Sequence, residues 1–150
     1  MNNYAQVLKN LIRNVPNFPK KGSLFKDITP LLKDANGFKR SIDGIYAHYK
    51  RSKIDVVVCM EARGFIFGAP LAYKLGAGLV PVRKKGKLPA ETLGFAYETK
   101  YSKDFLEIHK DSIMKGQRVL IVDDLLASGG TSKAMIDAVE KLGGNVIGLA

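Results

Sequence analysis

Three short apolar runs constrain the fold more than any other feature of this chain. Val56-Val57-Val58-Cys59-Met60, Leu79-Val80-Pro81-Val82 and Val119-Leu120-Ile121-Val122 are rich in β-branched residues and lack the polar alternation of a half-exposed strand. Such runs suit strands buried on both faces, and helix-periodic segments separate them, which predicts an α/β fold with a mostly parallel twisted sheet flanked by helices. Tyr4, Val7, Leu8, Leu11, Ile12 and Val15 predict a first helix ending before Pro16. Prolines at 16, 19 and 30 and Gly22 predict a loop over 16–30. A helix is expected from about Asn36, with Phe38, Ile42, Ile45 and Tyr49 on its buried face, and another over 65–75. Residues 83–94 read as a basic loop, 95–109 as a hairpin, and Asn145–Ala150 as a last strand after a helix stopped by Gly143-Gly144. No repeat or linker is visible, so residues 1–150 read as a single domain.

The 46% apolar and 25% charged composition of these 150 residues is that of a globular protein rather than a disordered or fibrous one. No apolar run approaches the roughly 20 residues of a membrane helix, and the first ten residues hold no signal-like apolar core. The single cysteine, Cys59, excludes an internal disulfide framework and a cysteine zinc cluster, and its place in an apolar strand predicts a packed, inert thiol. A cytoplasmic setting is the expectation. His48 and His109 lack metal-ligand spacing. The net charge of +10 is uneven: residues 1–90 carry +12 and residues 91–150 carry −2. That asymmetry suggests an anionic partner, nucleic acid first, against the alternative of a solvated lysine surface; a recognisable phosphate site among the basic residues decides between them.

The stretch from Val119 to Thr131 favours a phosphorylated small molecule instead. A buried strand delivers Asp123 and Asp124 to its C-terminal end, where open α/β sheets bind ligands. Ala127-Ser128-Gly129-Gly130-Thr131 then supplies glycines for close backbone approach, two hydroxyls and the start of a helix, all suited to a phosphate. Carboxylates beside a phosphate cradle match a sugar phosphate, whose vicinal hydroxyls they accept.

These residues resemble the signature by which type I phosphoribosyltransferases bind phosphoribosyl pyrophosphate. Phe18-Pro19-Lys20-Lys21-Gly22 with Phe25-Lys26-Asp27-Ile28-Thr29-Pro30-Leu31-Leu32, Glu61-Ala62-Arg63-Gly64-Phe65, Arg83-Lys84-Lys85-Gly86-Lys87-Leu88-Pro89 and Leu106-Glu107-Ile108-His109 are similar, in the same order, to the adenine phosphoribosyltransferase family. The resemblance implies transfer of the 5-phosphoribosyl group to adenine, giving AMP and pyrophosphate in purine salvage. It implies a type I fold with a flexible hairpin over the active site. It also implies a homodimer, and Mg²⁺ held mainly by substrate and water with no protein ligand. By the same resemblance Ala127, Ser128, Gly129, Gly130 and Thr131 cradle the 5′-phosphate, and Asp123 and Asp124 face the ribose. Arg63, Arg83 and Lys87 contact pyrophosphate, while Leu24, Phe25 and Lys26 form the adenine pocket, Lys26 through its backbone. A cis peptide is implied at Glu61–Ala62. The family usually continues past a strand such as 145–150, so the C-terminal end is expected to be incomplete. The alternatives are another purine phosphoribosyltransferase, or a nucleic-acid-binding regulator built on this fold; the partners expected are small molecules, with neither nucleic acid nor membrane.

One segment departs from the family pattern. Its Tyr-x-x-Glu-Tyr-Gly loop reads here Tyr97-Glu98-Thr99-Lys100-Tyr101-Ser102, so Lys100 stands where the acid–base carboxylate is expected. Tyr101 keeps its place among the catalytic candidates with Arg63. Either Glu98, two positions away on the same strand face, substitutes, or proton transfer depends less on this loop.

Overall fold

The computed structural model describes residues 3–98, 103–126 and 129–150. The chain divides into two compact units, Met1–Ile45 and Tyr46–Ala150.

The first unit differs from the sequence expectation. Helix α1 (Asn3–Asn10) closes in a tight turn at Leu11 and Ile12, and β1 (Arg13–Pro16) pairs antiparallel with β2 (Leu24–Asp27). Val15 therefore belongs to a strand, opposite Phe25, and the segment 16–30 is only partly a loop. The helical spacing of Leu11, Ile12 and Val15 was misleading because cross-strand pairing outweighs the weak propensity of one extra turn. The connection between the strands is held by side chains. Asn17 Oδ1 accepts the Gly22 N–H at 2.9 Å, and Ser23 Oγ donates to the Phe18 carbonyl at 2.7 Å. The Phe18–Pro19 peptide is cis. Short helix α2 (Thr29–Lys33) follows, with Pro30 in its first turn where no N–H is needed. Of the face expected on helix α3 (Ala35–Tyr49), Ile42 is buried, while Phe38, Ile45 and Tyr49 are half-buried.

The second unit holds a six-stranded sheet in the order β5-β6-β4-β3-β7-β8. Strands β3 (Val56–Met60), β4 (Gly78–Lys84), β7 (Arg118–Val122) and β8 (Asn145–Leu149) are parallel to their neighbours within this set. Strands β5 (Thr92–Glu98) and β6 (Lys103–His109) form an antiparallel hairpin that joins the sheet through Arg83↔Glu107 and Lys84↔Leu106. The sheet is thus mixed, with a parallel centre. Strand β4 runs to Lys84 and β5 begins at Thr92, so both ends of the expected basic loop 83–94 are strand. Helices α4 (Arg63–Leu75) and α5 (Gly130–Lys141) cover the sheet, α4 against β3 and β4, α5 against β5, β7 and β8. Val57, Val58, Cys59 and the whole of Val119–Val122 are fully buried, which accounts for the continuous apolar runs. Leu71 of α4, and Met135 and Val139 of α5, complete this core from the helices.

Tyr49, in the last turn of α3, donates its hydroxyl to the Leu149 carbonyl at 3.2 Å. Among the described residues no helix is long and apolar enough to cross a membrane.

Candidate active site

Parallel strands β3 and β7 end side by side, and the turns that leave them carry most of the expected site residues. At the end of β7, Asp123 donates its N–H to the Ala150 carbonyl at 3.0 Å, and its Oδ1 accepts the Asp124 N–H at 2.9 Å. Burial pushes the Asp123 carboxyl up to about 6; the Asp124 N–H opposes this, the Asp124 carboxylate adds to it, and Arg63 draws it down. Asp124 is nearly buried, with 8% of its side chain exposed, and pairs with Arg63 Nε at 2.9 Å.

Arg63 is the first residue of α4, directly after the turn that leaves β3, and the Glu61–Ala62 peptide before it is cis, as the resemblance implied. Gly64 brings the helix close to β7: a Cβ there would lie 3.2 Å from the Val122 carbonyl and 3.4 Å from Asp123 Oδ1. A side chain at 64 would push α4 away from the carboxylates it serves.

A cleft of about 240 Å³ opens here, lined by Asp123, Asp124, Leu125, Leu126, Ser132, Leu149 and Ala150. Gly129 precedes α5 with φ of +82°, a left-handed conformation that favours glycine. The turn thereby presents the first N–H groups of α5, at Gly130, Thr131 and Ser132, which have no intrahelical acceptor. Those donors and the helix dipole suit an anion. Buried Ser132 adds a hydroxyl to the cleft wall. Ser132 lies one residue beyond the expected phosphate segment 127–131, and its first-turn position in α5 is the sequence signal that marks it. Ala127, Ser128, Lys100 and Tyr101 lie outside the described residues. Glu98 is the last residue of β5, opposite Lys103.

A second group of charges gathers at the end of β4. Glu61 Oε2 pairs with Arg83 Nε at 2.6 Å, while its Oε1 accepts the Lys84 N–H at 2.9 Å. Arg83 Nη1 donates to the Lys87 carbonyl at 3.1 Å, and Glu107 Oε2 accepts the Gly86 N–H at 2.9 Å. Burial works to raise Glu61, but the Lys84 N–H and the Arg83 guanidinium outweigh it and hold the carboxyl below its ordinary range. Lys87 itself is exposed. Glu61 and Glu107 belong to the family-like motifs, but residue type alone assigns neither a partner; the fold does.

In the first unit, the β1–β2 register decides which backbone groups of the adenine-pocket candidates face outward. The Asn17 N–H donates to the Ser23 carbonyl at 2.7 Å, so ladder alternation makes Val15↔Phe25 and Arg13↔Asp27 the hydrogen-bonded pairs. Leu24 and Lys26 occupy the alternate positions, and their N–H and C=O groups point away from β1. Pro16, which has no N–H, sits opposite Leu24, where none is required. Lys26 Nζ is held by Asn14 Oδ1 at 2.7 Å, Phe25 packs edge-on against Phe18 at 5.1 Å between centroids, and Leu24 is exposed. Asp27 anchors the hairpin. The Thr29 N–H, then Arg13 and the Thr29 hydroxyl, bring its carboxyl down to about 2.

Cys59 is fully buried and burial pushes its thiol up to about 12, which makes it inert as a nucleophile. Among the described residues no group of three or more His, Cys, Asp or Glu side chains forms a metal cage.

Paired carboxylates at a strand end, a left-handed glycine and a helix N-terminus facing one cleft are the parts of a sugar-phosphate site, and the chain belongs to the phosphoribosyltransferase family, whose phosphoribosyl transferase domain matches residues 30–150. Within it the similarity is to adenine phosphoribosyltransferases. That of Thermoanaerobacter sp. strain X514 is 60% identical over 139 residues, 93% of this chain and 80% of that protein. The crystal structure of adenine phosphoribosyltransferase from Thermoanaerobacter pseudethanolicus superposes with a TM-score of 0.92 at 58% identity, covering 96% of this chain and 84% of that one. The Saccharomyces cerevisiae enzyme, complexed with D-2,5-dideoxy-2,5-imino-altritol 1,6-bisphosphate and adenine, gives a TM-score of 0.89 at 42% identity, covering 98% and 89%. The mixed, helix-flanked sheet is the type I phosphoribosyltransferase fold.

Proposed function

We propose that this chain transfers the 5-phosphoribosyl group of phosphoribosyl pyrophosphate to adenine, releasing pyrophosphate and forming AMP, as one phosphoribosyltransferase domain of purine salvage. The observation that carries the reading is the juxtaposition at β7 of Asp123 and Asp124 with the first turn of α5 across one cleft. In the reaction the anomeric C–O bond to pyrophosphate breaks as adenine N9 bonds to the same carbon, and N9 loses its proton. The 5′-phosphate sits on Ala127, Ser128, Gly129, Gly130 and Thr131. Asp123 and Asp124 accept the ribose hydroxyls and place negative charge beside the cationic sugar that develops in the transition state. Arg63, Arg83 and Lys87 bind the departing pyrophosphate, where a guanidinium offers two parallel donors. The outward N–H and C=O groups of β2 read the adenine edge, which needs one donor for N1 and one acceptor for its amino group, with Leu24 and Phe25 against the ring faces.

Mg²⁺ suits this donor set. The polar side chains lining the cleft are carboxylates and a hydroxyl, hard oxygen donors without thiolate or imidazole among the described residues. Substrate oxygens and water would mainly hold it, with the cleft oxygens nearby, and when bound it would neutralise pyrophosphate charge. Glu98 or Tyr101 serves the purine proton; unchanged turnover of Glu98→Gln at saturating substrates removes Glu98 from that role. The enzyme works as a cytoplasmic homodimer without nucleic acid or membrane. Exposed Ile66 and Tyr73 of α4 supply apolar surface for pairing.

The test is pyrophosphate release from phosphoribosyl pyrophosphate with adenine, guanine or hypoxanthine, with and without Mg²⁺. Adenine-dependent, Mg²⁺-dependent turnover is expected. Its absence with adenine refutes the reading, and equal turnover of all three bases refutes the specificity.

A further inference from the structure

Arg83 and Lys87 stand in a strand end and a turn rich in like charges, Arg83-Lys84-Lys85-Gly86-Lys87. Four cations within five residues repel one another, and a turn of this composition has little reason to hold one shape. Yet it is tied by four hydrogen bonds that involve a side chain, beside the backbone bonds from the Lys85 N–H to the Phe105 carbonyl and from the Lys87 N–H to the Lys84 carbonyl. Glu61 takes Arg83 Nε with one oxygen and the Lys84 N–H with the other, at 2.6 and 2.9 Å. Arg83 in turn donates to the Lys87 carbonyl at 3.1 Å, and Glu107 holds the Gly86 N–H at 2.9 Å. Glu61 is itself placed by its own N–H, which donates to the Val82 carbonyl at 2.9 Å. Only 12% of its side chain is exposed, against 37% for Arg83. Its carboxylate is thus engaged by β4, while its backbone begins the turn that presents Arg63.

We propose that Glu61 is a positioning residue for the pyrophosphate arm of the site: it fixes the Arg83 guanidinium and, through it, the Lys87 turn, from the same turn that sets Arg63. The proposal rests on the assignment of Arg83 and Lys87 to pyrophosphate made above. One residue thereby serves both cationic arms, Arg83 through its carboxylate and Arg63 through its backbone, so the Arg83 arm is set before ligand arrives and the ordering cost is met during folding.

Glu61→Gln is the test, because the amide oxygen keeps the Lys84 N–H while the amide NH₂ replaces the acceptor facing Arg83. Binding of inorganic pyrophosphate with Mg²⁺, measured by calorimetry, is expected to weaken about tenfold, in the range seen when an outer-shell orienting partner is lost. KM for phosphoribosyl pyrophosphate rises in parallel, while KM for adenine stays within about twofold. In a double-mutant cycle, Glu61→Gln adds little to Arg83→Gln, since both remove one interaction. Equal loss toward both substrates, full additivity with Arg83→Gln, or no pyrophosphate binding by the unaltered chain overturns the proposal. If Glu61→Gln does not fold, Glu61→Asp, which keeps the charge but withdraws it from Nε, must show the pyrophosphate defect; unchanged affinity overturns the proposal. Calorimetry does not depend on turnover. A chain without adenine turnover whose pyrophosphate binding still weakens in Glu61→Gln refutes the function proposed above and supports the role of Glu61.

Discussion

Asp123→Asn should stabilise the protein at neutral pH while disabling it. The carboxyl moves from an ordinary 3.8 to about 6 on folding, chiefly through burial. The native state therefore holds a proton that the unfolded chain releases between those values, and stability falls as pH rises through this window. The penalty is absent below about pH 4 and complete above about pH 6. At about 1.4 kcal/mol per pH unit the gap corresponds to about 3 kcal/mol. Asp123 is only partly buried, and solvent screening reduces this to about 1–2 kcal/mol. Asparagine keeps the oxygen that accepts the Asp124 N–H, so the hydrogen bond survives and the charge penalty does not. Chemical denaturation should show the variant more stable at pH 8 by about 1–2 kcal/mol, a Tm gain of about 2–4 °C per kcal/mol for a chain of this size. At pH 4 the gain should vanish. A variant equally or less stable at pH 8, or a gain independent of pH, refutes the reasoning. On the function proposed above, the same variant should lose turnover with phosphoribosyl pyrophosphate, because the charge that costs stability is the one that reading places beside the ribose.

Gly129→Ala forces a side chain into a left-handed φ of +82°, so it should cost about 1–2 kcal/mol and raise KM for phosphoribosyl pyrophosphate more than that for adenine in steady-state kinetics. Gly64→Ala puts a methyl 3.2 Å from the Val122 carbonyl, which should cost about 1–3 kcal/mol in urea unfolding and lower kcat by displacing Arg63. Tyr49→Phe removes the hydroxyl bonded to the Leu149 carbonyl and should cost about 1 kcal/mol with no change in either KM. Cys59 should resist a thiol reagent in the native state and react at the rate of global unfolding.

The sheet centre and the candidate site at its strand ends were legible in the residues because their cause is local. A strand buried on both faces must be apolar throughout, so Val56–Met60 and Val119–Val122 announced themselves. The carboxylates and glycines that follow β7 have one economical use at a strand end. Hairpin β5–β6 was legible from its alternation, and α5 from its glycine stop. By contrast, β1 was hidden within a helical periodicity. Residues 13–16 make a strand only because Leu24–Asp27 returns to pair with them, and no feature of four residues encodes a partner eight positions away.

The chain alone therefore determined its fold class, its family resemblance and the identity of most candidate groups, since burial pattern and motif chemistry are properties of residue type and spacing. Tertiary structure decided which groups act on which. It paired Arg63 with Asp124, turned the Glu61 carboxylate onto Arg83, set Ser132 in the cleft wall and faced the backbone of Leu24 and Lys26 outward. The reason is physical: charge pairing and desolvation depend on distances of a few ångströms between residues far apart in the chain, and those distances exist only once the sheet has formed.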